Sequence, residues 1–248
     1  MTSTIVHIDP LLLTDLADEQ ASLDQLLSPL AAAEWDRCTP APGWTIADQV
    51  GHLAVSEQAA ALALAGRSDE VFGGRAREQT VQEGGPAALL EAWRSARAAT
   101  LSAFAPLGDR DRVIWGAGPM SARSFAEARL METWAHGLDC HAALDVVPVD
   151  TVRLRRIAGL GFRALPYAFS LTGDEPPGDV RNITLDLRAP DGTPWRYGPP
   201  GSVDVISGGA GEWCRVVTRR RRAEDTALRA RTPLAALALQ VARAYLAD

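Results

Sequence analysis

Glu132 and His136 stand four residues apart in the segment METWAHGLD, residues 131–139. In an α-helix that spacing stacks a carboxylate and an imidazole on one face, and Asp139, three residues further on, continues the stripe. His52, in the sequence Gly51-His52-Leu53, lies far earlier in the chain. If His52 sits on a second helix and converges on the pair, the three form a His-Glu-His set. Such a set holds a divalent metal and leaves a coordination position open for water or a thiol. The same residues also have a plainer use, with Glu132 paired to Arg129 on a solvated face and His52 a hydrogen-bonded core histidine. His7 and His141 are weaker ligand candidates. The first lies in the N-terminal approach, and the second is about 140° around the helix from His136 at 3.6 residues per turn.

Composition narrows the chemistry. All 25 basic residues are arginine, which excludes Schiff-base formation through lysine and a lysine-dependent phosphate loop. A net charge of −6 argues against nucleic acid as the main partner, because phosphate neutralisation needs a basic surface. The run Arg219, Arg220, Arg221 and Arg222 is a local exception, followed at once by Glu224 and Asp225. It reads either as an anion clamp or as a solvated helix end with compensating acids. Cys38, Cys140 and Cys214 show no CxxC spacing and fit a reducing compartment, with Cys140 and Cys214 expected as small core residues. No apolar run reaches the length of about 18 residues that a membrane-spanning helix needs, and the N-terminus lacks a signal-peptide pattern, so a cytoplasmic protein without a membrane partner is expected.

A chain of 248 residues with 47% hydrophobic residues can bury a substantial core. Apolar residues at helical spacing predict a first helix over residues 9–34, which Pro29 can end early. Thr45 is a natural N-cap, with Asp48 in capping-box position, for a second helix reaching residue 66 and carrying His52 in its second turn. Residues 67–85 read as a loop and 86–107 as a third helix. After a turn at 116–119, Ser121 or Ser124 caps a fourth helix that carries Glu132 and His136 and ends near Leu144. Trp44, Trp115 and Trp134 are expected to pack rather than to serve as substrate platforms. A fifth helix over 151–171 runs into the clearest linker, 172–178. Alternating residues 183–187, the Asp191-Gly192 turn signal, residues 195–197 and the Val203/Val205 pair then predict strands, and helices over 211–220 and 233–246 close the chain. The expected class is α+β, with a four-helix bundle over residues 1–172 and a smaller α/β domain over residues 179–248.

Pro42-Gly43-Trp44-Thr45 with Asp48-Gln49-Val50-Gly51-His52-Leu53, followed by Glu132-x3-His136-Gly137-x-Asp139, resembles the branch of the DinB-like superfamily related to mycothiol-dependent maleylpyruvate isomerase. The resemblance covers most of the chain. It implies a DinB-like N-terminal bundle that binds a divalent metal, usually zinc, through His52, Glu132 and His136, beneath a smaller α/β domain. It also implies an essential arginine in the C-terminal part, which one of Arg219, Arg220, Arg221 and Arg222 would supply, and mycothiol as the thiol cosubstrate. Asp139 would act from behind a ligand, fixing an imidazole tautomer.

These readings lead to a metal-dependent, mycothiol-using isomerase or S-transferase acting on a small electrophile. A metal-dependent hydrolase or lyase using hydroxide, and a non-catalytic metal- or ligand-binding module, remain as alternatives on the same three residues. The expected partners are a small-molecule thiol and an electrophilic substrate. Thiol-dependent turnover separates the first reading from the second, and any turnover separates both from the third.

Overall fold

The computed structural model describes residues 7–72, 84–116, 118–173 and 175–244. The protein is α+β and divides into two compact units, Met1–Pro148 and Val149–Asp248.

In the first unit, α1 (Pro10–Leu27) starts with proline at its first position, where no N–H is needed, and the Asp9 side chain accepts from the Leu11 N–H. It buries Leu12, Leu16, Leu23 and Leu27. The helix stops seven residues short of the expected end at residue 34, since Pro29 cannot donate to the preceding turn; a short 3-10 turn, Ala32–Asp36, follows and buries Trp35. Thr45 and Asp48 form the expected capping box on α2 (Ile46–Leu64). The expected loop holds one short helix, α3 (Ser68–Phe72), and residues 73–83 of it lie outside the described residues. The helices α4 (Gly85–Phe104) and α5 (Ala122–Ala143, capped by Ser121) complete the set.

The long helices α1, α2, α4 and α5 pack as a bundle in which α2 lies against α4 and α5, and α1 against α5 and α4. Its core includes Leu23, Ile46, Val50, Leu53, Leu90, Trp93 and Cys140. Before α5 the chain forms a hairpin that sequence reading reduced to a turn: β1 (Arg112–Trp115) pairs antiparallel with β2 (Gly118–Ser121), Val113 opposite Met120. Four-residue strands carrying proline and glycine leave too little alternation to detect.

The second unit begins earlier than expected. The helix α6 (Leu154–Ser170), expected with the bundle, belongs instead with the C-terminal residues, and the units part between Pro148 and Val149 rather than at 172–178. Its apolar stripe, which includes Leu154, Ile157, Ala158 and Leu165, is buried, and α6 packs against α7 (Ala210–Val217) and α8 (Pro233–Val241). The Trp213 indole N–H donates to the Ala158 carbonyl at 3.2 Å, and a Cβ at Gly161 would stand 2.8 Å from the Val217 methyls, so glycine sets how closely α6 and α7 approach. The strands β3 (Thr184–Arg188), β4 (Pro194–Tyr197), β5 (Val205–Gly209) and β6 (Arg229–Ala230) form one mixed sheet in the order β4-β3-β5-β6. The expected hairpin joins β3 to antiparallel β4, with Leu187 opposite Trp195 and Gly192 at φ 84° in the turn. Leu185 and Leu187 point to the buried face of β3 while Thr184 and Asp186 stay partly exposed.

Candidate metal centre

The capping box fixes where α2 begins and therefore where His52 points. On α5, the four-residue spacing brings Glu132 and His136 together as expected. The three side chains converge: Glu132 Oε2 lies 3.6 Å from His52 Nε2 and 3.3 Å from His136 Nε2. Each offers a ligand atom within 4.8 Å of the others. The imidazole centroids are 4.6 Å apart. His136 is buried, whereas the His52 side chain keeps 40% of its surface, so the cluster is reached from the His52 side.

Gln49 orients the buried histidine. Its Oε1 accepts from His136 Nδ1, while its Nε2 donates to Thr39 Oγ1 at 3.0 Å, which sets the direction of the amide. A proton on Nδ1 leaves the Nε2 lone pair facing the cluster, the tautomer that a metal requires. Two imidazole nitrogens and a carboxylate oxygen suit zinc and leave a position open. Asp139, expected to fix an imidazole tautomer, is buried on α5 three residues beyond His136, and Gln49 is the acceptor at His136 Nδ1. The sequence carried a signal for Gln49, a polar residue on the same buried stripe of α2 as Ile46 and Leu53.

Behind Glu132 stands Arg129. Its Nη2 lies 3.8 Å from Glu132 Oε1 and its Nη1 4.0 Å from Glu57 Oε1, and it also donates to Ser56 Oγ. The guanidinium carbon sits 5.3 Å from the centre of the Trp115 ring. The pairing of Glu132 with Arg129 is therefore real, but its face is buried rather than solvated, with Arg129 2% exposed. One carboxylate oxygen of Glu132 faces the arginine and the other faces both histidines. Burial opposes ionisation of Glu132, but in the metal-free form, where the Nε2 atoms of His136 and His52 carry protons, their hydrogen bonds together with the charges of Arg129 and His136 outweigh it and hold the carboxyl well below its ordinary value; a bound metal would take the place of those protons. At Glu57 desolvation wins over Arg129 and pushes the carboxyl up.

Trp44 precedes the cap of α2 and does more than pack. Its ring stacks on His136 at 6.0 Å and 22°, and lies 5.4 Å from His52. Cys140 and Cys214 are buried core residues as expected, and burial pushes the Cys140 thiol up to about 12, far from a nucleophile's range. His7 makes a backbone bridge to Gly108, and neither it nor His141 joins the cluster.

In the second unit the four arginines separate into different roles. Arg222 is held by Glu224 at 2.9 Å and Asp225 at 3.1 Å, and Arg220 Nη1 donates to the Thr218 carbonyl. Arg219 and Arg221 are exposed. Arg219 has φ 59°, in the left-handed region that follows a helix end and usually holds glycine. The Arg219 N–H bonds to Val216 O and the Arg220 N–H to Arg215 O, so the run closes α7. All four arginines line a cavity of about 580 Å³ with Leu239 and Gln240.

Residues 16–141, which include all three clustered side chains, match the family described as mycothiol maleylpyruvate isomerase N-terminal domain. The chain is 39% identical over 218 residues to the uncharacterized proteins MT0041 and Rv0036c of Mycobacterium tuberculosis, strains CDC 1551 / Oshkosh and ATCC 25618 / H37Rv, covering 84% of this chain and 84% of each relative. Two solved structures of mycothiol-dependent maleylpyruvate isomerase, one of them a mutant, share the fold at 19% identity with TM-scores of 0.53 and 0.52. In each case 83% of this chain and 86% of the other are covered.

Proposed function

The chain belongs to the mycothiol maleylpyruvate isomerase N-terminal domain family, and from that premise we propose that it is a metal-dependent enzyme using mycothiol as thiol cosubstrate on a small electrophile. The observation that carries this reading is the convergence of His52 Nε2, Glu132 Oε2 and His136 Nε2, with His136 held in its ligating tautomer by Gln49. These three residues would hold a divalent ion, and zinc fits the donor set. When bound, the ion supplies Lewis acidity that favours the deprotonated form of a thiol at neutral pH.

The protein's residues orient the reactants. His52, the exposed member, faces the side from which a thiol arrives. Trp44 shields His136 and restricts water around the open side. The thiolate sulfur forms a bond to the electron-poor carbon of a conjugated double bond, and the π pair moves onto the activating group. Rotation about the resulting single bond and expulsion of the same thiolate gives the isomer, whereas proton uptake at the neighbouring carbon keeps the sulfur and gives the conjugate. Either course suits a clamp for an anionic or hydroxylated substrate, for which Arg219 and Arg221 are available and Arg222 is already paired. Three free cysteines fit a reducing, cytoplasmic setting, and among the described residues no helix is long and apolar enough to cross a membrane.

The test is turnover by zinc-loaded full chain of maleylpyruvate and other α,β-unsaturated acids, with and without mycothiol. Saturable, thiol-dependent turnover is expected. Turnover that ignores the thiol would put hydroxide chemistry first, and no turnover at all would leave a binding module.

A further inference from the structure

Beside the metal cluster, within the first unit, lies a cavity of about 640 Å³ bordered by His52 and Trp44. That volume suits a small organic ligand rather than a few waters. Its long wall comes from one stripe of α2, where Ala47, Gly51 and Val55 follow one another at four-residue spacing, and Leu89 of α4 faces it. Gly51 is the informative residue. Its backbone is ordinary helix, and the nearest atom to an added Cβ would be Leu89 Cδ1 at 4.0 Å. Neither backbone strain nor close packing requires glycine there, yet glycine weakens a helix interior. The missing side chain widens the recess beside His52.

Among the described residues the charged groups lining the cavity, apart from His52, are two carboxylates, Asp36 and Asp48. Asp48 commits Oδ2 to the Thr45 N–H and hydroxyl, which leaves Oδ1 out of the capping box. Asp36 is exposed. An aromatic wall with carboxylate acceptors at its edge is suited to a neutral, hydroxyl-rich ring: the indole takes the ring's apolar face and the acids accept from its hydroxyls. It is poorly suited to a dicarboxylate, which like charge would repel.

We propose that this cavity seats the polyhydroxylated portion of the thiol cosubstrate, with a sugar-like ring against Trp44 and hydroxyls donating to Asp36 and Asp48, while the sulfur end lies toward His52. The inference rests on the thiol-using reading above. It separates the two substrates by charge: the neutral glycoside belongs here, and an anionic electrophile is recognised elsewhere.

The test uses two probes on zinc-loaded full chain, followed by calorimetry. One is N-acetylglucosaminyl-inositol, a neutral glycoside without sulfur, and the other is N-acetylcysteine, a thiol without the glycoside. Wild type should bind both. Gly51→Leu, whose side chain would fill the recess, should weaken glycoside binding by about tenfold or more, equivalent to the loss of one good contact, with zinc content and N-acetylcysteine binding retained. Asp36→Asn, at an exposed position, should weaken the glycoside alone. Unchanged glycoside affinity in both variants would overturn the proposal, as would wild type that binds N-acetylcysteine but not the glycoside. Failure of wild type to bind either probe would take the thiol-using reading down with it.

Discussion

At the scale of single residues, the support behind the histidine and the roles within the arginine run carry the sharpest consequences. Gln49 accepts from His136 Nδ1 and is itself held by Thr39. Removing the acceptor with Gln49→Leu should therefore lower metal affinity by about 10- to 100-fold, the usual cost of losing such a partner, while helix content stays unchanged. Gln49→Glu keeps an acceptor at the same place and should bind metal better than Gln49→Leu. Competition with a chromophoric chelator measures both, and wild-type affinity in Gln49→Leu would remove this residue from the site's support. Among the arginines, Arg222→Ala should leave turnover near normal because its guanidinium is already shared by Glu224 and Asp225. Arg219→Ala or Arg221→Ala should reduce kcat/KM on a carboxylated substrate without changing metal content. Arg→Lys at the sensitive position should recover only part of the loss, since an ammonium cannot reproduce the fork. Silence in all four alanine variants would reduce the run to a helix terminus.

At the scale of elements, the bundle depends on how α1 is tied to α4. Asp24 on α1 accepts from Arg94 at 2.6 Å and also pairs with Arg97. The Arg94 hydrogen bond outweighs burial and, with Ser28 and Arg97, lowers the Asp24 carboxyl from 3.8 to about 2. A depressed folded-state value stabilises the protein above the unfolded value, and that contribution disappears as pH falls through the folded one. The shift corresponds to on the order of 2 kcal/mol at neutral pH. Asp24→Asn should lose stability of that order in urea unfolding at neutral pH, and its difference from wild type should shrink as the pH is lowered from about 4 towards 2. A gap that persists unchanged at the acid end would mean that packing rather than charge joins the helices. The same scale shows where sequence reading succeeds. Thr45 and Asp48 marked the start of α2 because a capping box is local chemistry, complete within four residues. The β1–β2 hairpin escaped because its partner strands are too short to show a period.

At the scale of the whole molecule, the division into Met1–Pro148 and Val149–Asp248 makes a claim about which segment can be cut. Val147 and Val149, on either side of the division, are 85% and 83% exposed, and an exposed apolar segment between compact units is open to a protease of apolar specificity. Of the two candidate boundaries, thermolysin should cut within residues 145–150 and release fragments that stay folded, with α6 retained by the C-terminal one. Cleavage at 172–178 that left α6 with the bundle would reverse the assignment. The metal should partition with the N-terminal fragment, since His52, Glu132 and His136 all lie within it.

The sequence by itself determined what is set by neighbours along the chain: the amphipathic helices, the cap at Thr45, a serine cap on α5 at one of Ser121 and Ser124, the Asp191-Gly192 hairpin, and the stacking of Glu132 on His136. Helical spacing alone makes the last of these inevitable. The approach of His52 to that pair joins two helices, and spacing could pose it only as a condition; the tertiary packing of α2 against α5 met it. The same packing set Gln49 against His136 Nδ1 and buried the face that carries Arg129. It also gave α6 to the second unit. An apolar stripe declares that a helix has a partner, but its period is the same whichever partner it meets, so only the contacts with α7 and α8 decide where the helix belongs.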